Sequence, residues 1–422
     1  MSKLEKIWEF KDLRNKIIVA VGLLLITRLL SHIPLPGVDL QRLQTFFQQN
    51  QAFGLLNMFS GGTMSNFSII LMGVGPYITS SIIFQLLGMI FPSVEEMQKE
   101  EAGKQKLNQW TRLATIPLAV VQALSMLVLL KNQGIIPQWD MFSLITMLIS
   151  VCAGTILLMW LGEIISEKGI GNGVSLIIGL GILSGFPEQI RNTAALVGSG
   201  DISKIIGVFS FLLIFIITIA GIIFVQEGQR NIPVSYEKSM RFVTHGGVSS
   251  HLHIRVNIAG VIPIIFAMSL LIMPGVIAKY LEAARTPWVA SSAKFIGGMF
   301  ANQVFYGAAY FVLVVLFTYF YTSVVFKPDQ IAENLQRQSG YVPGIRPGTE
   351  TREYLKTIIT RITLFGALFL GVIAVLPFIV QSVTHINTIV LGGTGILIIV
   401  SVVVETMRQL ESQIVMHTYD KY

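Results

Sequence analysis

Residues 57–87 read NMFSGGTMSNFSIILMGVGPYITSSIIFQLL. The second half of this stretch is apolar enough for a bilayer. The first half, Asn57 to Ser68, is not: it holds two adjacent glycines, three serines, a threonine and two asparagines, and no charge. Apolar FGLL precedes it, so a polar, glycine-broken, uncharged segment sits inside a membrane-like region. Non-helical backbone at membrane depth is tolerated only where protein or a water-filled cavity satisfies its N–H and C=O groups. The stretch therefore raises the question of what surrounds it in the membrane.

Composition marks a polytopic membrane protein. The chain has 422 residues, 53% of them hydrophobic and 13% charged, against roughly 25% charged in soluble domains, and its mean hydropathy is +0.68. Apolar runs of about 17–25 residues, the length that crosses a bilayer, fall at 17–35, 69–91, 113–130, 142–162, 174–190, 205–225, 257–278, 304–326, 359–380 and 388–407. The segment 53–66 reads as a broken half-span before the second of them. The leader MSKLEKIWEFKDLRNK is read as part of a retained first helix, with Leu4, Ile7, Trp8 and Phe10 near one face and lying along the membrane surface. Most of the 30 basic residues fall in the tails and alternate loops of one side, which places both termini in the cytoplasm by the positive-inside rule. The same bias accounts for the net charge of +7 without nucleic-acid readout. The single cysteine, Cys152, excludes an intramolecular disulfide and reads as a small core residue.

Two cytoplasmic loops are long, 226–256 and 327–358. The first alternates apolar and polar residues around Gly246-Gly247, as a β-hairpin does. The second has a helix-like part, Pro328 to Gln338, followed by a Gly/Pro-rich turn. The spans divide five and five near 191–204, compatible with the internal repeats common among transport proteins.

Several chemistries are missing from the sequence. Gly103-Lys104 lacks the upstream glycine and the following Ser/Thr of a nucleotide-binding loop. GIGNG, Gly169 to Gly173, follows a membrane span with no βαβ unit around it and reads as a tight cytoplasmic turn opening the next helix. His251 and His253, without cysteine or a second close pair, read as solvated strand residues rather than metal ligands. The spans hold few charges: Glu163 and Glu405 near cytoplasmic ends, and Arg28 near the outer end of the first helix. Ion-coupled transporters carry carboxylates deeper than this. A secondary transporter or lipid-linked flippase is thus the weaker alternative to a passive channel, and an intramembrane protease would need a catalytic dyad or metal cluster that the spans do not contain. The pairs Val74/Ile78 and Ile178/Ile182 each share a helix face at i, i+4. From spacing alone they fit ordinary packing or lipid contact as well as any special role.

The motifs SHIPLPGVD (31–39), MFSGGTMSNFSI followed by GPYITSSIIFQLL (58–87), MWLGEIISEKGIGNGVSLII (159–178), VNIAGVIPIIFA (256–267) and GYVPGIRPG (340–348) together resemble the SecY/Sec61-alpha family of protein-export channels. The resemblance runs in order over essentially the whole chain. It implies an all-α fold of ten transmembrane helices in two pseudo-symmetric halves of five, residues 1–195 and 196–422, around a central pore. A ring of aliphatic side chains at the waist would be Val74, Ile78, Ile178, Ile182, Ile265 and Ile398, where the family usually has isoleucine at the position of Val74. A half-helix plug would span about 52–66, with Leu55, Leu56 and Phe59 giving it an apolar face, Gly61 and Gly62 keeping it short and movable, and Asn57, Ser65 and Asn66 tolerating a wet vestibule. Thr79, Gln122 and Asn257 match polar positions of a lateral gate through which hydrophobic segments reach membrane lipid. Arg346, with Arg230 and Arg241 in the other loop, would meet a SecA motor ATPase or a translating ribosome. The resemblance further implies the small subunits SecE and SecG, precursor proteins bearing signal sequences as cargo, the bacterial cytoplasmic membrane as location, and no cofactor, resident metal or enzymatic activity.

Overall fold

The computed structural model describes residues 10–35, 38, 41–43, 45, 57, 60, 62–132, 134–136, 140–198, 202–236, 250–281, 286–384 and 393–419. The leader's Leu4, Ile7 and Trp8 lie outside them. Over its described residues each of the ten apolar runs is largely helical, with 174–190 broken by a turn at Gly185. The first unit of the chain, residues 1–199 with 402–422, holds α1 (Lys11–Leu30), α2 (Gly75–Ile90), α3 (Pro92–Lys99), α4 (Glu101–Asn132), α5 (Met141–Lys168), α6 (Gly173–Ser184) and α7 (Phe186–Gly198). The second unit, 200–401, holds α8 (Ile202–Glu227), strands β1 (Gln229–Tyr236) and β2 (Ser250–Arg255), α9 (Ile262–Leu281), α10 (Pro287–Ala301), α11 (Gln303–Val325), α12 (Pro328–Arg337), β3 (Gly340–Tyr341) and α13 (Thr349–Thr384). The last helix, α14 (Gly393–Tyr419), begins in the second unit and ends in the first. The halves expected from the sequence, 1–195 and 196–422, differ from these units in residues 196–199 and in the tail 402–422.

Seven of the described helical stretches are long and apolar enough to cross a membrane, and α2 with α3, bent by 114°, makes up to eight. Their apolar side chains are not all inside. On α8, Phe209 is 72% exposed and Phe224 76%. Large apolar residues on such a face need a hydrocarbon solvent rather than water.

The expected span 69–91 becomes helical only at Gly75; residues 69–74 are turns. Pro76 sits in the first turn of α2, where a missing N–H costs nothing, and so marks the helix start that apolarity alone places six residues early. In the first unit α4 packs on α2, α3 and α5, while α1 packs on α5 and α6. In the second, α11 lies between α9 and α13, and α8 also packs on α13.

The loop at 226–256 is the antiparallel hairpin that its alternation predicts, pairing Gln229↔Arg255 through Val234↔Ser250; residues 237–249 lie outside those described. The sequence does not reveal that β3 adds to its other edge, Ser235↔Tyr341 and Tyr236↔Gly340, to give the order β2-β1-β3. The two long loops thereby form one small module. Its core is Ile232, Ile254, Val342, Leu355 and Ile359.

Candidate functional site

The uncharged polar stretch after Asn57 is a compact series of turns rather than a helix over its described part. Asn57 organises it: its side-chain oxygen accepts from the Ser65 N–H at 2.8 Å, and its carbonyl accepts from the Gly62 N–H at 2.8 Å and the Ser60 hydroxyl at 2.9 Å. The Thr63 hydroxyl reaches the carbonyls of Ser60 at 3.0 Å and Leu71 at 3.3 Å, and the Ser65 hydroxyl donates to the Gly62 carbonyl at 2.9 Å. Main-chain bonds from Leu35 N to Phe67 O and from Ile69 N to Ile33 O tie the end of the stretch to the segment after α1. Thr63, Phe67 and Ser68 are buried. Short hydroxyl and amide side chains are thus what this sequence needs to satisfy irregular backbone away from water. Gly154 of α5 makes room for it: a Cβ there would collide with the Ile69 carbonyl oxygen. Of the expected plug residues, Asn57, Gly62, Ser65 and Asn66 belong to this series, while Leu55, Leu56, Phe59 and Gly61 lie outside the described residues.

The turns end at a cavity of about 40 Å³. Val74, which precedes α2, and Ile178 of α6 line it together with Thr27, Arg28 and Ser31 of α1 and its end, and with Ser60 and Thr63 of the turns. Its lining is therefore mixed, aliphatic and polar. Arg28 donates to the Ser31 hydroxyl at 3.2 Å. The sequence shows Arg28 only as an isolated charge; an arginine near the end of an apolar run is the available signal. Ile182, one turn beyond Ile178, is 2% exposed, and Ile78 is half-buried one turn after Val74. In the second unit, Ile265 lies half-buried in the first turn of α9 and Ile398 is buried on α14. The first unit thus brings Val74 and Ile178 to one cavity; Ile265 and Ile398 belong to the second.

Two of the three expected gate residues meet. Gln122 of α4 donates to the Thr79 hydroxyl of α2 at 3.5 Å, a long bond, and next to it the buried Ser80 hydroxyl donates to the Thr111 carbonyl at 2.8 Å. Asn257, in the second unit, is buried and donates to Gln226 at 3.1 Å and to the Gly260 carbonyl at 3.2 Å. Glu163 pairs with Arg112 at 2.7 Å across α4 and α5, a partnership that sequence distance conceals.

GIGNG is the expected turn. Asn172 caps α6 by accepting from the Ser175 N–H at 3.1 Å, and Gly171, at φ +86°, gives its N–H to the Gln409 side chain of α14 at 2.9 Å. Beside it Leu13 and Ile170 form a buried pair flanked by Leu410 and Ile414.

On the loop module, Arg346 is 88% exposed, 4.0 Å from Glu350, on a turn whose Gly344 and Gly348 take φ of +84° and +99°. The Thr351 hydroxyl anchors the Arg346 carbonyl at 2.8 Å, and Arg352 pairs with Asp329 of α12. Arg230 is exposed on β1 opposite Ile254. Arg241 lies outside the described residues.

This arrangement has counterparts. The SecY family model matches residues 68–407. The protein translocase subunit SecY of Helicobacter pylori strain 26695 is 39% identical over 418 residues, covering 97% of this chain and 98% of that relative. That of Halalkalibacterium halodurans is 41% identical over 432 residues, covering 99% and 98%. Among solved structures, a protein-conducting channel superposes with a TM-score of 0.65 at 19% identity, covering 94% of this chain and 92% of that one. Sec61 in the canine ribosome–channel complex does so at 0.63 and 19%, covering 94% and 92%. The structures speak for the fold, and the sequence relatives, matched from end to end, decide the family: this chain belongs to the SecY family.

Proposed function

We propose that this chain is the channel subunit of a protein translocase, passing unfolded precursors across a membrane and releasing hydrophobic segments sideways into lipid. The observation that carries the reading is the end-to-end similarity to translocase subunits at 39–41% identity. The chain crosses the bacterial cytoplasmic membrane ten times with both termini in the cytoplasm, in two halves of five spans, as its distribution of Lys and Arg supports.

Val74, Ile78, Ile178, Ile182, Ile265 and Ile398 form the constriction. An apolar waist stops ions by dewetting, and aliphatic side chains offer a moving polypeptide no strong hydrogen bond. The segment around 52–66 is the plug; its described residues are buried at Thr63 and Met64, half-buried elsewhere and hydrogen-bonded mainly among themselves, and it carries no charge, so it needs no ion pair broken to move. Thr79, Gln122 and Asn257 hold the lateral gate. Hydrogen bonds between membrane helices are worth only about 0.6–2 kcal/mol each, enough to bias closure and weak enough to yield to a signal helix. Arg346 and Arg230, with Arg241, form the docking surface for the SecA motor or a ribosome. A relative of the same fold sits in a ribosome–channel complex, which supports the ribosome as partner, and SecE and SecG complete the assembly.

The test is reconstitution with SecE, SecG, SecA, ATP and a signal-bearing precursor in vesicles. Protease-protected precursor is expected; none, under conditions where a known translocase succeeds, overturns the reading.

A further inference from the structure

Between α9 and α11 the chain makes a helix that the apolar runs do not announce: α10, Pro287–Ala301, of sequence PWVASSAKFIGGMFA. At 15 residues it is about 22 Å long, too short to cross a bilayer. It packs on both α9 and α11. The packed face is defined: Ala293 is buried, and the Phe300 ring meets Phe305 of α11 edge-on at 5.5 Å, with its Cβ facing Gly275 of α9. The corner into α11 is fixed by Asn302, whose side chain accepts from the N–H of Val304 at 3.0 Å and of Phe305 at 3.4 Å.

The opposite face carries two large exposed rings, with the exposed Ser291 and Ser292 between them. Trp288 is 73% exposed and Phe295 72%; seven residues apart, they lie on one line along the helix. Lys294 is exposed beside Phe295. Tryptophan with a neighbouring lysine is the composition of the bilayer interface, where the indole sits at headgroup level and the ammonium reaches phosphates. Helix α11, which follows α10 after Asn302 alone and is long and apolar enough to cross a membrane, exposes large apolar side chains of its own at Val304, Val312 and Leu316.

We infer that α10 is an interfacial helix, docked by Trp288 and Phe295 into the headgroup–acyl boundary of the lipid leaflet at the outer end of α9 and α11. Only its assignment to the outer leaflet rests on the proposed topology. The occupant is lipid because α10 is joined through a single residue to a membrane-spanning helix with exposed apolar side chains, and because it carries a cation suited to headgroup phosphate.

The test uses the full chain in vesicles, with Trp8, Trp110, Trp139 and Trp160 changed to Phe so that Trp288 is the sole tryptophan. Lipids brominated near the top of the acyl chain are expected to remove most of its emission, deep-brominated lipids less, and aqueous acrylamide little. Efficient acrylamide quenching without bromolipid quenching overturns the proposal in favour of a solvated face. Should the multiple variant not fold, a spin label on Phe295→Cys in the otherwise unaltered chain gives the same answer, oxygen relaxing it more than a water-soluble nickel chelate if the proposal holds. Copy-to-copy cross-linking through Phe295→Cys with no lipid contact would assign the face to a second chain and overturn it. Separately, Lys294→Cys is expected to react with an impermeant maleimide from the side opposite the termini. Reaction from the same side, with lipid contact retained, would refute the topology and leave the interfacial helix standing.

Discussion

Val74 and Ile178 come from distant parts of the sequence, yet they line one cavity with Ser60 and Thr63. A lining that mixes polar and aliphatic side chains is what a constriction bordering a wet vestibule requires. Changing Ile78 and Ile182 together to glycine is expected to raise resting ion conductance in planar bilayers, because the dewetted barrier is lost; unchanged conductance in a folded channel would withdraw them from the ring. Gly154 is expected to be as sensitive, for a different reason. Gly154→Val forces a side chain into the Ile69 carbonyl, and overpacking of this kind costs about 1–3 kcal/mol, readable as a lower Tm of the detergent-solubilised protein. The sequence carries the ring only as two i, i+4 pairs that packing explains equally well, and resemblance is needed to single them out. It holds no sign of Gly154's role, because a close approach between residues 69 and 154 is a property of the packed state.

Among elements, the long apolar runs are legible because bilayer thickness imposes a length that few other structures need. Where that rule does not apply, reading is weaker. Apolarity places the start of α2 at residue 69, although residues 69–74 form turns held by the Ile33 carbonyl, which accepts from the Ile69 N–H, and by the Thr63 hydroxyl, which donates to the Leu71 carbonyl. Strand β3 is two residues long, below any period that alternation can reveal. Helix α10 is hidden in the connection between α9 and α11. The GIGNG turn is visible as a turn, but its partner is not. Gln409→Leu leaves the buried Gly171 N–H without its acceptor, which costs about 1–3 kcal/mol. Thermal unfolding should show this loss, and a Gln409→Glu variant, which keeps an acceptor, should lose less. An equal loss in both would mean that the hydrogen bond contributes nothing.

For the whole molecule, the two long loops act as one body, since β3 joins the hairpin and Ile232, Ile254 and Val342 share a core. Arg346 is thus presented on a turn anchored by Thr351 and stiffened by the module beneath it. Arg346→Glu is expected to reduce motor-driven export of precursors severalfold, the order of a lost charge-assisted contact, while SecE and SecG still co-purify. Export at the normal rate would remove the docking role.

The Gly171–Gln409 bond joins residues 238 positions apart, and residues 402–422 complete the first unit. During synthesis the chain emerges from its amino end. With elongation at about 5–20 residues per second, Gly171 waits on the order of tens of seconds for Gln409 to be made. Throughout that interval the Gly171 N–H lacks its side-chain acceptor, and Leu13 and Ile170 lack Leu410 and Ile414. The earliest-made part of the protein is therefore finished by the last-made, and a ribosome that stalls late leaves an open N-terminal unit exposed to quality-control proteolysis.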